Sequence, residues 1–313
     1  MILVRSPLRI TLGGGGSDRP SYVSEHGGFS LTAAIDQYVF VSVIRPFHPG
    51  IYLKYSENEH APCHDAIAHP IFRETLKHFN IAPQIEITTL ADIPSGTGLG
   101  SSSSFTTALV KGLATYQRQM LSPAALAETA CEIEINRLHA PIGKQDQYAA
   151  AFGGVCSLTF HQDGSVGADA LPMSPHAMAS LEDGLLLFYT GVTRSTNDVL
   201  ATPSADDGLT RVKELGLRSR DALCAGKLYG FGQLMHTHWY EKQARGLSTP
   251  QVDEWYKHAM DYGAIGGKLV GAGGGGFLLF YTEDPRKLRF GMAQVGLPEV
   301  RFRFDFEGTR VIV

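Results

Sequence analysis

No stretch of this chain approaches the roughly 20 consecutive apolar residues that a membrane-spanning helix requires. The opening Met1-Ile2-Leu3-Val4-Arg5 is too short and wrongly flanked for a secretory signal and reads as a first strand. Cysteine is scarce: Cys63, Cys131, Cys156 and Cys224 show no paired spacing, which excludes a disulfide frame or a zinc motif and suits small core residues of a reduced protein. There is no basic excess either. With 27 basic and 31 acidic side chains the net charge is −4, so nothing supplies the concentrated positive face that nucleic acid needs. Internal repeats and low-complexity tails are missing, and the expected compartment is the cytoplasm. His60, Cys63, His64 and His69 crowd together, but their spacing matches no structural zinc pattern, and the segment reads as a surface loop.

Glycine is abundant, and its placement is informative. Clusters stand at Gly13–Gly16, Gly96–Gly100 and Gly271–Gly276, each inside apolar flanks. Fixed glycine costs backbone entropy, so such clusters mark sharp turns or close approach of backbone to a ligand. Around them, short aliphatic runs predict strands over Ile2–Val4, Leu8–Leu12, Val39–Ile44, Ile85–Thr89, Gly184–Tyr189, Gly276–Tyr281 and Val300–Phe306. Helices are predicted over Ser102–Tyr116, over Pro123–Leu138 with Ser122 as its N-cap, and over a long stretch from Leu209 to His238. The looser composition of Phe160–Pro175 predicts a hinge. The class is α+β with two lobes, divided as 1–168 and 169–313.

The strongest chemical signal is Pro94-Ser95-Gly96-Thr97-Gly98-Leu99-Gly100-Ser101-Ser102-Ser103-Ser104, set between a strand and a helix. Alternate glycines let the backbone wrap a polyanion. The first N–H groups of the following helix lack intrahelical partners and carry the positive end of its dipole. This is not a Walker A loop, because no Lys-Ser or Lys-Thr pair follows the glycines. The literal G-x-G-x-x-G at Gly271, Gly273 and Gly276 runs into Phe277-Leu278-Leu279-Phe280-Tyr281, a strand, whereas a dinucleotide fingerprint must open a helix. A serine hydrolase built on Ser101–Ser104 lacks the G-x-S-x-G elbow.

Three elements in order, Ser6-Pro7-Leu8-Arg9-Ile10 with Gly15-Gly16-Ser17-Asp18, then Pro94–Ser103, then Lys268–Gly276, resemble the three signature motifs of the GHMP kinases. Within that superfamily the chain is similar to the bacterial D-glycero-α-D-manno-heptose 7-phosphate kinases. That likeness rests on Arg5–Ile10 with Gly14–Asp18, Gly143-Lys144-Gln145-Asp146-Gln147-Tyr148-Ala149, Thr190-Gly191-Val192-Thr193-Arg194 and Phe304–Gly308. The resemblance implies an N-terminal lobe like domain 2 of ribosomal protein S5 and a ferredoxin-like C-terminal lobe, with ATP and sugar meeting between them.

It further implies Asp146 as the catalytic aspartate, acting as base or as orienting group, with Arg9 beside it. ATP phosphates would lie on Pro94, Gly96, Gly98, Leu99, Gly100, Ser101, Ser102 and Ser103. Mg²⁺ would be held by Ser102 and Glu134, hard oxygen ligands suited to that ion. Sugar contacts fall to Asp18 with Gly15, Gly16 and Ser17. Lys144 and Arg194 are the candidates for a distal phosphate. The third glycine loop, with Gly273 and Gly274, would abut the site and shape the cradle. Arg19 stands where such kinases usually carry an aliphatic residue. The expected reaction is phosphorylation of the anomeric hydroxyl of heptose 7-phosphate, with ATP and the sugar phosphate as partners and a homodimer left open. The competing expectations are a 1-kinase for an unphosphorylated hexose and a non-catalytic sugar or nucleotide sensor.

Overall fold

The computed structural model describes residues 1–192, 206–271 and 273–313. The N-terminal lobe is organised by two long strands, β1 (Ile2–Gly13) and β2 (Gly28–Ile44), joined through the short helix α1 (Pro20–His26). β1 is one continuous strand, where composition suggested two. Pro7, which cannot donate to a ladder, sits at a register shift: Pro7 faces Tyr38 but Leu8 faces Ile35. The resulting bulge divides β2 between two partners on its other edge. Gly28–Ala33 pair with β6 (Val155–Phe160), and Val39–Ile44 pair with β5 (Ile85–Ala91). The sheet continues from β5 to β3 (Ile51–Lys54) and β4 (Asn58–Ala61), and β6 pairs with β7 (Val166–Ala170). The stretch expected as a hinge, Phe160–Pro175, is therefore corrected to a β6–β7 hairpin with its turn at Gln162-Asp163-Gly164, and the helix α6 (Pro175–Gly184) comes next. The chain end returns to this lobe as β12 (Arg310–Val311), antiparallel to β1.

Helices α2 (Pro70–His78), α3 (Ser101–Tyr116) and α4 (Pro123–Cys131) cover one face of this sheet around Val41, Ile87, Leu109 and Ile133. The fourfold apolar spacing of α3 shows only part of its burial, because Ser103, Ser104, Thr106 and Thr107 are also buried. Three of these hydroxyls reach backbone carbonyls: Thr106 and Thr107 donate to those of Ser102 and Ser103 in the turn before, and Ser104 donates to that of Pro7 on β1. The helix expected over Pro123–Leu138 ends at Cys131 and passes into a π-helical turn over Glu132–Arg137, where the Leu138 amide reaches the Ile133 carbonyl. Such a turn inserts one residue and rotates the chain beyond it, often at a functional site.

The C-terminal lobe is a four-stranded antiparallel sheet of β8 (Leu185–Tyr189), β9 (Ala264–Leu269), β10 (Phe277–Thr282) and β11 (Glu299–Val300). Between β8 and β9 lie α7 (Asp206–Cys224), α8 (Leu228–Ala244) and α9 (Pro250–Asp261), and α10 (Pro285–Gln294) links β10 to β11. The spatial order β11-β8-β10-β9 is 4-1-3-2, the ferredoxin-like arrangement. The continuous apolar runs Leu185–Tyr189 and Phe277–Thr282 arise because both faces of this sheet are buried. Leu187, Phe277 and Leu279 face the core shared with Leu8, Leu31 and Phe231, whereas Leu186, Phe188, Leu278 and Phe280 pack against Trp239, Tyr256 and Met292. The long helix expected from Leu209 to His238 is two helices, broken at Ala225–Lys227 where Gly226 takes a positive φ. The strand expected to Phe306 stops at Val300, with a single further bridge between Ile35 and Phe304.

Candidate active site

Asp146 lies in the first turn of α5 (Gln145–Phe152), at the meeting of the three glycine segments. Arg9, on β1 and almost fully buried, binds it bidentately: Nε donates to Oδ1 at 2.7 Å and Nη2 to Oδ2 at 2.6 Å. The remaining Nη1 donates to the Gly98 carbonyl at 2.6 Å, and the Arg9 amide donates to the Leu99 carbonyl. One arginine thus ties the aspartate to the backbone of the second glycine loop. Gln145 Nε2 donates both to Asp146 Oδ1 and to Thr11 Oγ1, and its Oε1 accepts from Ser30. The carboxylate is a quarter exposed, toward an open cleft.

The second loop opens α3 with Gly100 as N-cap at φ 76°, with no side-chain cap and no acidic residue in the first turn. Its dipole end and first N–H groups are left for an external anion. A Cβ at Gly100 would stand 3.2 Å from Asp146 Oδ2, so the loop backbone and this carboxylate are neighbours. Ser102 is exposed at the mouth, and its hydroxyl donates to Glu134 Oε1 at 2.8 Å; Gln147 Nε2 donates to Oε2 at 2.7 Å. The π-helical turn carries Glu134 into this position. Burial pushes the Glu134 carboxyl up from its usual range, opposed by hydrogen bonds from Ser102, Gln147 and Ser103. Thr97 Oγ1 donates to the Pro94 carbonyl, closing the turn that precedes Gly98.

Ser102 Oγ and Glu134 Oε1 lie side by side as hard oxygen donors, the donor type Mg²⁺ takes. Among the described residues no three His, Cys, Asp or Glu side chains converge as a cage. A pair that leaves other positions to water and phosphate suits Mg²⁺. His64 instead binds the Ile81 carbonyl, His60 stacks on Tyr52, and His69 packs against Phe72 and Phe105.

Asp18 lies on the cleft wall with Gly15 and Gly16 and accepts the Gln145 amide at 3.1 Å. Burial and the nearby Asp146 push its carboxyl up, while that amide and Arg9 pull the other way. Ser17 is buried and holds the loop shut: it donates to the carbonyls of Gly14 and Phe29 and accepts the Phe29 amide. Lys144 is turned away. It donates to both oxygens of Glu128 at 2.9 and 2.8 Å and to the Gly164 carbonyl, and it does not line the cleft. Arg194 falls outside the described residues. Gly273 and Gly274 pack on the Leu247 carbonyl, which accepts the Gly274 amide.

The opposite wall holds His238, Lys242 and Arg245 on or just beyond α8, which motif reading missed, and Lys268 on β9, the first residue of the third motif. Their signal was a spacing of four and three, which aligns three basic residues on one helical stripe. Burial lowers Lys242 to about 7, with Arg245 and Arg9 acting in the same direction. Burial also drives His238 and Lys268 well below their usual ranges.

Residues 66–154 match the family described as GHMP kinases N terminal domain, and residues 219–296 match GHMP kinases C terminal. The chain is 29% identical over 307 residues to a D-glycero-alpha-D-manno-heptose 7-phosphate kinase of Campylobacter jejuni, covering 91% of each. It is 27% identical to an L-fucokinase/L-fucose-1-P guanylyltransferase of Bacteroides fragilis, covering 90% of this chain but spanning only 34% of that protein. It superposes on the structure of a D-glycero-D-manno-heptose 1-phosphate kinase from Bacteriodes thetaiotaomicron with a TM-score of 0.84 and 25% identity, covering 100% of this chain and 99% of that one.

Proposed function

The chain belongs to the GHMP kinases and is an ATP-dependent phosphotransferase; from that premise we propose that its acceptor is D-glycero-D-manno-heptose 7-phosphate, phosphorylated at the anomeric hydroxyl to heptose 1,7-bisphosphate. The observation that carries this reading is the position of Asp146. It stands between an uncapped helix N-terminus suited to ATP phosphates and a cleft whose wall carries Asp18.

In this reading residues 1–168 supply the phosphate loop, Asp146 and Asp18, and residues 169–313 supply the opposing basic wall. The backbone of Gly96–Gly100 and the first turn at Ser101–Ser103 cradle the β- and γ-phosphates. Ser102 and Glu134 would hold Mg²⁺, which would supply charge neutralisation at those phosphates. Asp18 accepts hydrogen bonds from ring hydroxyls and sets the sugar's orientation. Asp146 accepts the hydrogen bond of the anomeric hydroxyl and aligns its oxygen with the γ-phosphorus. Arg9, gripping Asp146 and Gly98 together, fixes acceptor and donor in one frame. In phosphoryl transfer such positioning supplies most of the catalysis, because the transition state is loose.

A coupled ADP-release assay with ATP and Mg²⁺, run on heptose 7-phosphate, heptose, fucose, galactose and mannose, tests the acceptor. Turnover confined to heptose 7-phosphate is expected. Turnover of a free hexose alone keeps the kinase and discards the heptose assignment.

A further inference from the structure

The cleft wall facing Asp18 carries the cations Lys242, Lys268 and Arg245; Glu241, the carboxylate acting on Arg245, is itself bound by Arg211. Lys242 and Lys268 are buried, and among the described residues neither they nor Arg245 enters an ion pair. Lys242 Nζ donates to the carbonyls of Leu269 and Gly271 at 2.8 and 2.7 Å, which aims the ammonium but leaves its charge unbalanced. Arg245 Nε is a buried nitrogen without a hydrogen-bond partner. Arg19 lines the same cleft from the other lobe. Among the described residues lining the cleft two are carboxylates: Asp146 is gripped by Arg9, and Asp18 accepts the Gln145 amide.

Buried like charges of this kind are costly unless an anion completes the site. A neutral sugar brings no such charge. The phosphates of ATP have their own cradle at the start of α3, with Ser102 and Glu134, and those residues do not line this wall. We propose that Lys242 and Arg245 form the subsite for the phosphate monoester that the acceptor already carries, so that this wall, and not Lys144, selects a phosphorylated sugar. The inference rests on the kinase reading only for the identity of the acceptor; the anion site stands on the wall's own charges. Arg245, with its forked donors, would take two phosphate oxygens, and Lys242 would supply a point charge. Because Lys242 also holds the Gly271 carbonyl, an occupied subsite bears directly on the third glycine loop.

The test uses Arg245→Gln, with Arg245→Lys as the conservative control and thermal melting to confirm folding. Heptose 7-phosphate and unphosphorylated heptose are each titrated by calorimetry without nucleotide, and both are assayed for ADP release. The wild type should bind the phosphorylated sugar more tightly. Arg245→Gln should weaken that binding roughly 10- to 100-fold and bring the preference for the phosphorylated sugar near unity, leaving the KM for ATP unchanged. Arg245→Lys should recover part of the loss. An undiminished preference in Arg245→Gln, or equal loss for both sugars, would overturn the subsite. So would a selective loss of ATP affinity, which would assign the wall to the nucleotide. Sugar-phosphate binding that depends on Arg245 without turnover of any sugar would uphold the subsite and remove the transferase reading. Turnover of a free hexose with no response to the 7-phosphate would do the reverse.

Discussion

Gly98 of the second glycine loop and Gly271 of the third pass back to back. A Cβ on Gly271 would stand 2.7 Å from Gly98 Cα, and one on Gly98 would stand 2.7 Å from the Val270 carbonyl oxygen. Both take positive φ, 85° and 77°. Two segments about 170 residues apart in the chain are thereby pressed together, and the contact places the β9–β10 loop of one lobe behind the phosphate loop of the other.

Gly98→Ala should therefore damage both fold and site. Left-handed backbone costs a residue with a Cβ about 1–2 kcal/mol, and the carbonyl contact adds to it. For a chain this size the melting temperature should fall by on the order of 5 °C. ATP affinity should fall with it, because Arg9 grips the Gly98 carbonyl. Unchanged melting and unchanged ATP KM would show that the loops move apart freely.

Gly143→Ala addresses the acceptor alone. A Cβ there would lie 2.1 Å from Asp18 Oδ2, so the aspartate must move. The KM for the sugar should rise severalfold or more while nucleotide binding, followed by ADP fluorescence titration, stays near wild type. Equal weakening of both ligands would remove Asp18 from sugar contact.

Glu134→Gln separates stability from activity. The folded-state pKa of Glu134 is raised, so this residue's contribution favours folding most at acid pH and is lost as pH rises through that value. At pH 7.5 without Mg²⁺ the Gln variant should melt at or above wild type. Its turnover should drop by on the order of 10²-fold or more, with a weakened Mg²⁺ requirement. A variant that melts lower and still turns over normally contradicts the metal assignment.

Lys242 gives the pH dependence opposite in direction. Its pKa falls from 10.5 to about 7 on folding, so the unfolded chain binds the extra proton between those values. Stability from this group is at its lowest below about pH 7 and recovers as pH rises toward 10.5, by at most about 1.4 kcal/mol per pH unit. The melting difference between wild type and Lys242→Met should therefore shift in favour of wild type between pH 7 and pH 8.5. A pH-independent difference would show that Lys242 keeps its proton in the folded protein across this range.

Sequence made the loops legible because fixed glycine is costly: three clusters in apolar frames are hard to explain except as close backbone. It made Asp146, Arg9 and Ser102 legible through motif order, and the structure brings Arg9 onto Asp146 and Ser102 onto Glu134. The basic wall was hidden because a charged stripe on a helix is ordinarily solvated, and only tertiary packing reveals that Lys242 and Lys268 are buried. Lys144 sits beside the motif aspartate, but its long side chain follows Glu128 away from the cleft. The π-helical turn has no sequence signature. The Phe160–Pro175 hairpin was obscured because its polar turn and mostly half-exposed second strand look like linker.

The central claim is that Asp146 stands at the point of transfer, and Asp146→Asn tests it most directly. The variant keeps a hydrogen-bond acceptor for buried Arg9, so circular dichroism and ADP·Mg²⁺ titration can establish that fold and nucleotide site persist. With those intact, the account predicts that ADP release with heptose 7-phosphate falls by on the order of 10²–10⁴-fold. A folded, nucleotide-binding variant that retains most of its turnover would contradict it.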